Sequence, residues 1–384
     1  MTPTSKNLVR RLNEQNVLQH VFNNSPISRA QVSKDLKLNK VTVSQVVMTL
    51  IDQHFITEVG EAESSRRGGR KPVMLRFNAQ LGYTVAFDVG VEYVDMMVNY
   101  LDGRIAHFKR FEALGLSIME RLDLMNTQLT QQIGFPETER GLVGIAVAVH
   151  AVIFNGQVLD SPFVKMAPST VLDYFTARVN VPVVIENEAN LAAVCQRDFA
   201  NTTVSNQITI SIHKGIGAGI IINGKLYRGM DGRAGEIGRS LVFDAKQNEY
   251  CKIESLCSED AIIDQVRTVK GNAALDRRSV LSLYDAKDPD VLEIMERFCR
   301  LTAVLMHNVA NAYAPTEIIL NSAMIATRPA LFTMIKEEFS GMRDNVGTIK
   351  LAYDVDHAVL LGGCSLCVHQ ALDLGALTLR LSAS

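Results

Sequence analysis

The 384-residue chain has no run of about 18 uninterrupted apolar residues, which excludes a membrane-spanning helix from the expected architecture. Its opening stretch, MTPTSKNLVRRLNEQN, is polar and lacks the apolar segment of a secretory signal. Cysteine is sparse. Cys195, Cys251, Cys257, Cys299, Cys364 and Cys367 are scattered along a chain without an export signal, so reduced and mostly buried thiols are expected. These absences point to a cytoplasmic, membrane-free protein. What is present fits that expectation: 47% hydrophobic and 21% charged residues are ordinary for a soluble globular chain. A chain of this length accommodates two to four folded units and needs no covalent staples.

The net charge of −2 conceals an asymmetry. Residues 1–78 hold 12 Lys and Arg against 6 Asp and Glu, a net of +6, and the remaining 27 and 35 give −8. A basic head on an acidic body suggests that the head meets a polyanion.

Within the head, Leu8, Leu12, Val17, Leu18, Val21 and Phe22 are spaced for an amphipathic helix over 7–22, which Asn24-Ser25-Pro26 breaks. Ser28 then predicts the N-cap of a second helix running to Leu36. After the LKLN turn, Asn39 opens a third helix with Val43, Val46, Val47, Leu50 and Ile51 on one side. Two helices across a tight turn form the helix-turn-helix pattern. The Val41-Thr42-Val43 run is poor for an isolated helix, so tertiary packing must hold it. Residues 55–60 and 73–77 alternate apolar and polar and predict a hairpin wing. Its tip carries Arg66, Arg67, Arg70 and Lys71 with two glycines, a basic arm suited to a phosphate backbone or a narrow minor groove. On the third helix, Asn39, Lys40, Thr42, Ser44 and Gln45 are candidates to reach base edges or phosphates. Arg29 and Lys34 on the second are candidates for phosphate contact.

The body alternates apolar strands (83–90, 94–100, 142–149, 181–185, 208–212 and 215–225) with helical stretches such as 116–133 and 288–313, an α/β pattern. One 25-residue run, GIGAGIIINGKLYRGMDGRAGEIGR at 215–239, follows Glu186-Asn187-Glu188-Ala189-Asn190. With the winged helix-turn-helix in front, these residues resemble the ROK family of repressors, open reading frames and kinases, in particular its xylose-repressor group. The resemblance implies two actin-like α/β lobes with a sugar cleft, and covers nearly the whole chain. The expected division is a winged helix-turn-helix over 1–78, a first lobe over 79–190, and a second lobe over 191–384 for sugar binding and dimerisation.

By the same resemblance, Asn187 and Glu188 lie at a sugar's reacting hydroxyl, and Glu236 and Glu254 face other hydroxyls. Arg239 stands where the family has a histidine; it is expected to pair with Glu236 or to bind an anionic group. His150 is left open between a cleft role and a core role. The family's phosphate hairpin, Asp-x-Gly-Gly-Thr, reads Asp88-Val89-Gly90-Val91-Glu92, with a carboxylate where phosphate would approach. Its adenosine strand, which ends in Gly-Gly, reads Ile318-Ile319-Leu320-Asn321-Ser322, while Leu361-Gly362-Gly363 matches a later strand. The family's catalytic Asp is Glu188, whose extra methylene displaces a positioned base by about an ångström. ATP binding and kinase activity are therefore not expected. Counting back from Glu254, the family's three zinc cysteines fall on Ala245, Gln247 and Lys252, with Cys251 one residue off. No zinc is expected, since an alanine, an amide and a lysine make no tetrahedral site. The combined expectation is a sugar-controlled repressor that binds an operator in duplex DNA as a homodimer or dimer of dimers. A sugar kinase with a DNA-binding head, and a body serving only as a dimerisation or partner-docking scaffold, are the alternatives.

Overall fold

Two side-chain caps set the register of the N-terminal helices. Ser28 Oγ accepts the Gln31 amide at 3.2 Å, and Asn39 Oδ1 accepts the Thr42 amide at 2.7 Å. In the computed structural model, which describes residues 5–61, 72–200, 204–244, 248–342, 347–375 and 377–384, these caps open α2 (Arg29–Asp35) and α3 (Lys40–Asp52). Helix α1 (Ser5–Asn24) precedes them. Val17 and Val21 of α1, Val32 of α2, and Val43, Val47 and Leu50 of α3 are buried together with Ile56 and Leu75. Of the β-branched start of α3, this packing holds Val43, while Val41 is exposed. The wing is β2 (Ile56–Glu61) paired antiparallel with β3 (Val73–Phe77), with β1 (Ile27–Ser28) added on the other side of β3. Arg66, Arg67, Arg70 and Lys71 lie outside the described residues, as do Ala245 and Gln247.

The body contains two five-stranded sheets built to one plan. In the first, strands Tyr83–Val89, Tyr93–Tyr100 and Ile105–Glu112 form an antiparallel meander. Leu142–Val149 then pairs parallel with Tyr83–Val89, and Val183–Asn187 completes the edge. In the second, Gln207–Ile212, Ile216–Ile222 and Lys225–Leu226 form the meander. Glu317–Asn321 pairs parallel with its first strand and Thr348–Leu351 follows. Numbering strands within each sheet, both have the order 3-2-1-4-5. The same chain path is used twice.

The chain groups into two compact units. One comprises Met1–His150, Ser161–Glu186 and Gly363–Ser384, and the other Ala151–Asp160 and Asn187–Gly362. In the second unit, the helix Pro289–Tyr313 starts at an Asp288 cap with proline in its first turn, and buries Met295, Phe298, Cys299, Thr302 and Met306. In the first unit, Asp373, Thr378 and Arg380 bond to side chains of α1. Arg11 donates twice to the Asp373 carboxylate, at 2.9 and 2.7 Å. Gln19 and Asn23 donate to the Thr378 carbonyl, and Asn23 Oδ1 accepts the Arg380 amide at 2.8 Å.

One strand expectation fails. Leu361-Gly362-Gly363 lies inside the helix Ala358–Ala371. A Cβ on Gly362 would sit 1.9 Å from the Leu191 carbonyl oxygen, and one on Gly363 2.9 Å from Ala146 Cβ. The glycines let a helix approach its neighbours closely, and an apolar run with two glycines does not distinguish that from a buried strand. Among the described residues no helix is long and apolar enough to cross a membrane.

Candidate functional site

The carboxylates singled out in the body converge on the first residues of the strand Ile216–Ile222. Asn187 caps the helix Glu188–Phe199, its Oδ1 accepting the Ala189 and Asn190 amides at 2.9 and 3.2 Å. Its Nδ2 donates to the Ala151 carbonyl at 3.0 Å. That cap fixes Glu188 in the first helical turn, where its Oε1 would lie 3.9 Å from a Cβ on Gly217. From the other direction, a Cβ on Gly238 would meet Glu254 Oε2 at 2.8 Å and the Ile216 carbonyl at 2.3 Å. The turn before it also crosses this strand closely. Gly235, at φ +89°, accepts the Ala218 amide at 2.8 Å, and any Cβ on it would lie 1.9 Å from the Ala218 carbonyl oxygen. The glycine-rich run thus brings Glu188, Glu236 and Glu254 to one strand end.

Arg239 lies among them with both sides of its guanidinium engaged. Nε pairs with Glu236 Oε2 at 2.8 Å and Nη2 with Asp160 Oδ2 at 2.8 Å. Burial pushes the Glu236 carboxyl above the usual carboxylate range; Arg239 pulls it back, and Glu254, Asp160 and Glu188 push it up. The hydrogen bond to Asp160 is the largest of the influences raising the Arg239 guanidinium. Four carboxylates around one engaged cation present acceptors for hydroxyl groups and repel an anion. Of the two expectations for Arg239, pairing with Glu236 is the one seen. Asp160 was not singled out by its sequence. It ends the hairpin Val152–Phe154/Gln157–Asp160, and the Asn155-Gly156 turn, both residues at positive φ, is the signal that could have exposed it.

The two segments that match nucleotide elements are filled by the protein's own groups. At the hairpin after Asp88, the Tyr93 ring lies against Gly90, where a Cβ would be 2.5 Å from the ring. Tyr93 donates its hydroxyl to Asp88 Oδ2 at 3.0 Å. The Asp88 charge, then burial, hold the phenol well above its ordinary range. His150 Nε2 is 3.2 Å from Asp88 Oδ1, with its ring edge against Phe163. The buried Arg121 donates to the carbonyls of Gly90, Val91, Ala113 and Leu116 at 2.6–3.0 Å and fixes the turn from behind. At Asn321-Ser322, Glu259 is the filler. Its buried carboxylate accepts from Ser322 Oγ at 2.7 Å and from the Met324 amide at 2.9 Å, and Arg277 lies 3.4 Å away. A phosphate at the first place or an adenosine at the second would have to displace these groups, so the residues do not fit a nucleotide.

The donors near Glu254 do not suit zinc either. Cys251 sits on the strand Glu249–Lys252 with its Sγ 3.9 Å from the Val242 carbonyl. Cys257 is buried, its thiol pushed up to about 12 by burial. Zinc takes thiolates and imidazoles, and among the described residues no three His, Cys, Asp or Glu side chains are grouped to hold a metal ion.

In the head, Lys34, Lys40 and Gln45 are exposed, while Thr42 and Ser44 are half-buried. Asn39 spends its side-chain oxygen on the cap of α3. Arg29 pairs with Glu58 at 2.8 Å. The helix also exposes two residues that were not singled out, Val41 (67%) and Met48 (60%).

Comparison with known proteins follows this geometry. Residues 84–370 match the ROK family. The chain is 38% identical to the xylose repressor of Lactiplantibacillus pentosus over 371 residues, 96% of each chain. It is 36% identical to the xylose repressor of Staphylococcus xylosus, over 98% of this chain and 99% of that one. The crystal structure of a ROK-family transcriptional regulator, a homolog of the E. coli MLC protein, superposes with a TM-score of 0.80 at 20% identity, covering 96% of this chain and 98% of that one. At that identity the likeness concerns the fold.

Proposed function

The chain belongs to the ROK family, and from that premise we propose that it is a transcriptional repressor of sugar-utilisation genes whose body senses an unphosphorylated sugar and transfers no phosphate. The observation that carries this reading is one contrast within the body. The carboxylates Glu188, Glu236 and Glu254 gather at one strand end, whereas the segments that match the phosphate hairpin and the adenosine strand are occupied by Tyr93 and Glu259. A kinase needs both kinds of site; a sensor needs only the first. Asn187 serves by fixing the turn that carries Glu188, and Arg239 by holding Glu236 beside Asp160.

The winged head supplies the output. Lys34, Lys40 and Gln45 are among the exposed polar groups on α2 and α3, and operator half-sites are engaged by a homodimer or dimer of dimers. Similarity to repressors named for xylose makes xylose the first sugar to test. The helix Ala358–Ala371 offers a covalent route between the two activities. Its residues to Gly362 group with the carboxylate-bearing unit, those from Gly363 with the head-bearing unit, and Asp373, Thr378 and Arg380 beyond it hold α1.

Thermal melting of the purified protein with millimolar xylose, glucose, N-acetylglucosamine, their phosphorylated forms and ATP tests the reading. A rise with an unphosphorylated sugar, absent in Glu236→Gln and Glu254→Gln, is expected, with no rise from ATP. A rise with ATP, together with phosphate transfer to a sugar, would establish a kinase instead. A melting temperature unmoved by every sugar would leave the body as a scaffold.

A further inference from the structure

We propose that Val41 and Met48 are sequence-reading residues that take the 5-methyl groups of thymines in the major groove, with Gln45 between them. The inference rests on the DNA-binding reading above and adds what the helix recognises. Helix α3 buries Val43, Val46, Val47 and Leu50, each at most 6% exposed. Its opposite stripe is Val41, Gln45, Met48 and Asp52, spaced i, i+4, i+7 and i+11 on one helix face. Two aliphatic side chains thus stand in water on a 13-residue helix that buries four others.

Nothing in the fold calls for them. Valine is a weak helix former at an exposed position, and neither side chain packs into the head's core. The surroundings define what would cover them. Lys34, Lys37 and Lys40 stand exposed on α2, the turn and the start of α3, within the segment whose net charge is +6 over residues 1–78. The partner is therefore polyanionic and yet offers apolar groups. Duplex DNA meets both conditions, because the thymine methyl is the apolar feature of the major-groove floor. The spacing agrees. Seven residues of helix advance about 10 Å, or about three base-pair steps. Gln45, midway, has the amide geometry that pairs with adenine N6 and N7. The expected half-site therefore carries thymine–adenine pairs on both sides of one further adenine, within a few base pairs.

Deoxyuridine tests this, because it removes the methyl and leaves the pairing edge intact. Duplexes are selected from a random library with the full-length protein. Affinities are then measured as each thymine in turn is replaced by deoxyuridine. One replacement per contact should weaken wild-type binding about fourfold, the worth of one methyl-sized group removed from water. Val41→Ala should weaken the parent duplex by a similar factor and be indifferent to deoxyuridine at its own thymine. Met48→Ala should behave likewise at a different thymine. Lys40→Ala is the control, lowering affinity for all duplexes alike and flattening the salt dependence. Both sites are exposed, so unchanged melting temperatures will confirm that the variants fold. Full affinity for a wholly deoxyuridine duplex would overturn the proposal and give the stripe to an apolar protein partner. Selection of no duplex above non-specific binding would remove the DNA-binding reading itself, and this inference with it.

Discussion

Arg239 is the residue on which the carboxylate cluster turns. Glu236 is raised by burial and by three neighbouring carboxylates, and Arg239 is its counterweight. Replacing it, as in Arg239→Met, removes the one charge that offsets burial and the neighbouring carboxylates at Glu236. The variant should melt below the wild type at neutral pH and show a smaller sugar-induced rise. The sign with pH follows from the direction of the shift. A carboxyl raised in the folded state takes up its proton at higher pH than in the unfolded chain, so acidification through that range stabilises the fold. Melting curves between about pH 5 and pH 8 should show the deficit of Arg239→Met narrowing as pH falls. A deficit independent of pH would mean that Arg239 acts through packing alone. The i, i+3 pairing with Glu236 was legible in the sequence. Asp160 was not, because it lies 79 residues away and its role exists only once the hairpin folds back. Asn39 teaches the reverse lesson. An amide at the start of a recognition helix suggests base contact, but the same position is an N-cap, and the cap claims the oxygen.

Elements with strong periodicity were readable, and short ones were not. The helices at 5–24, 29–35, 40–52, 118–131 and 289–313 fall close to their expected ranges because cap, periodicity and breaker agree. The two-residue strand Ile27–Ser28 and the four-residue strands Gln157–Asp160 and Thr348–Leu351 carry too few residues for a pattern of period two. The filling of the nucleotide segments was half legible. The missing glycines showed that both nucleotide segments had lost their backbone cradle, but not that Tyr93 folds back against Gly90 or that Glu259 reaches Ser322 from another helix. The long helix Pro289–Tyr313 supplies Met295, Phe298, Cys299 and Met306 to the core of the second unit. Phe298→Ala in it removes a fully buried ring and should lower unfolding stability by about 3–5 kcal/mol. Denaturant titration with an unchanged slope would assign the loss to the folded state.

For the molecule as a whole, the contacts of α1 with Asp373, Thr378 and Arg380 attach the head to the chain that leaves the carboxylate-bearing unit through the helix Ala358–Ala371. If the sugar signal uses this route, loosening it should uncouple the two activities without abolishing either. Gln19→Ala combined with Asn23→Ala removes the hydrogen bonds to Thr378 and Arg380. The double variant should keep its operator affinity and its sugar-induced melting shift. The sugar's effect on operator affinity, typically about 5–150-fold for such coupling, should fall toward the lower end. Paired titrations of DNA with and without sugar measure this, and an undiminished ratio would direct attention to another route.

The same attachment imposes an order on synthesis. Helix α1 leaves the ribosome early, whereas Asp373, the partner of Arg11, follows 362 residues later. At bacterial or eukaryotic elongation rates of about 5–20 residues per second, the nascent head waits about 20–70 s before its strap exists. A message broken between the end of the head, at Phe77, and that codon would release a head without this strap, so such fragments should give no response to sugar.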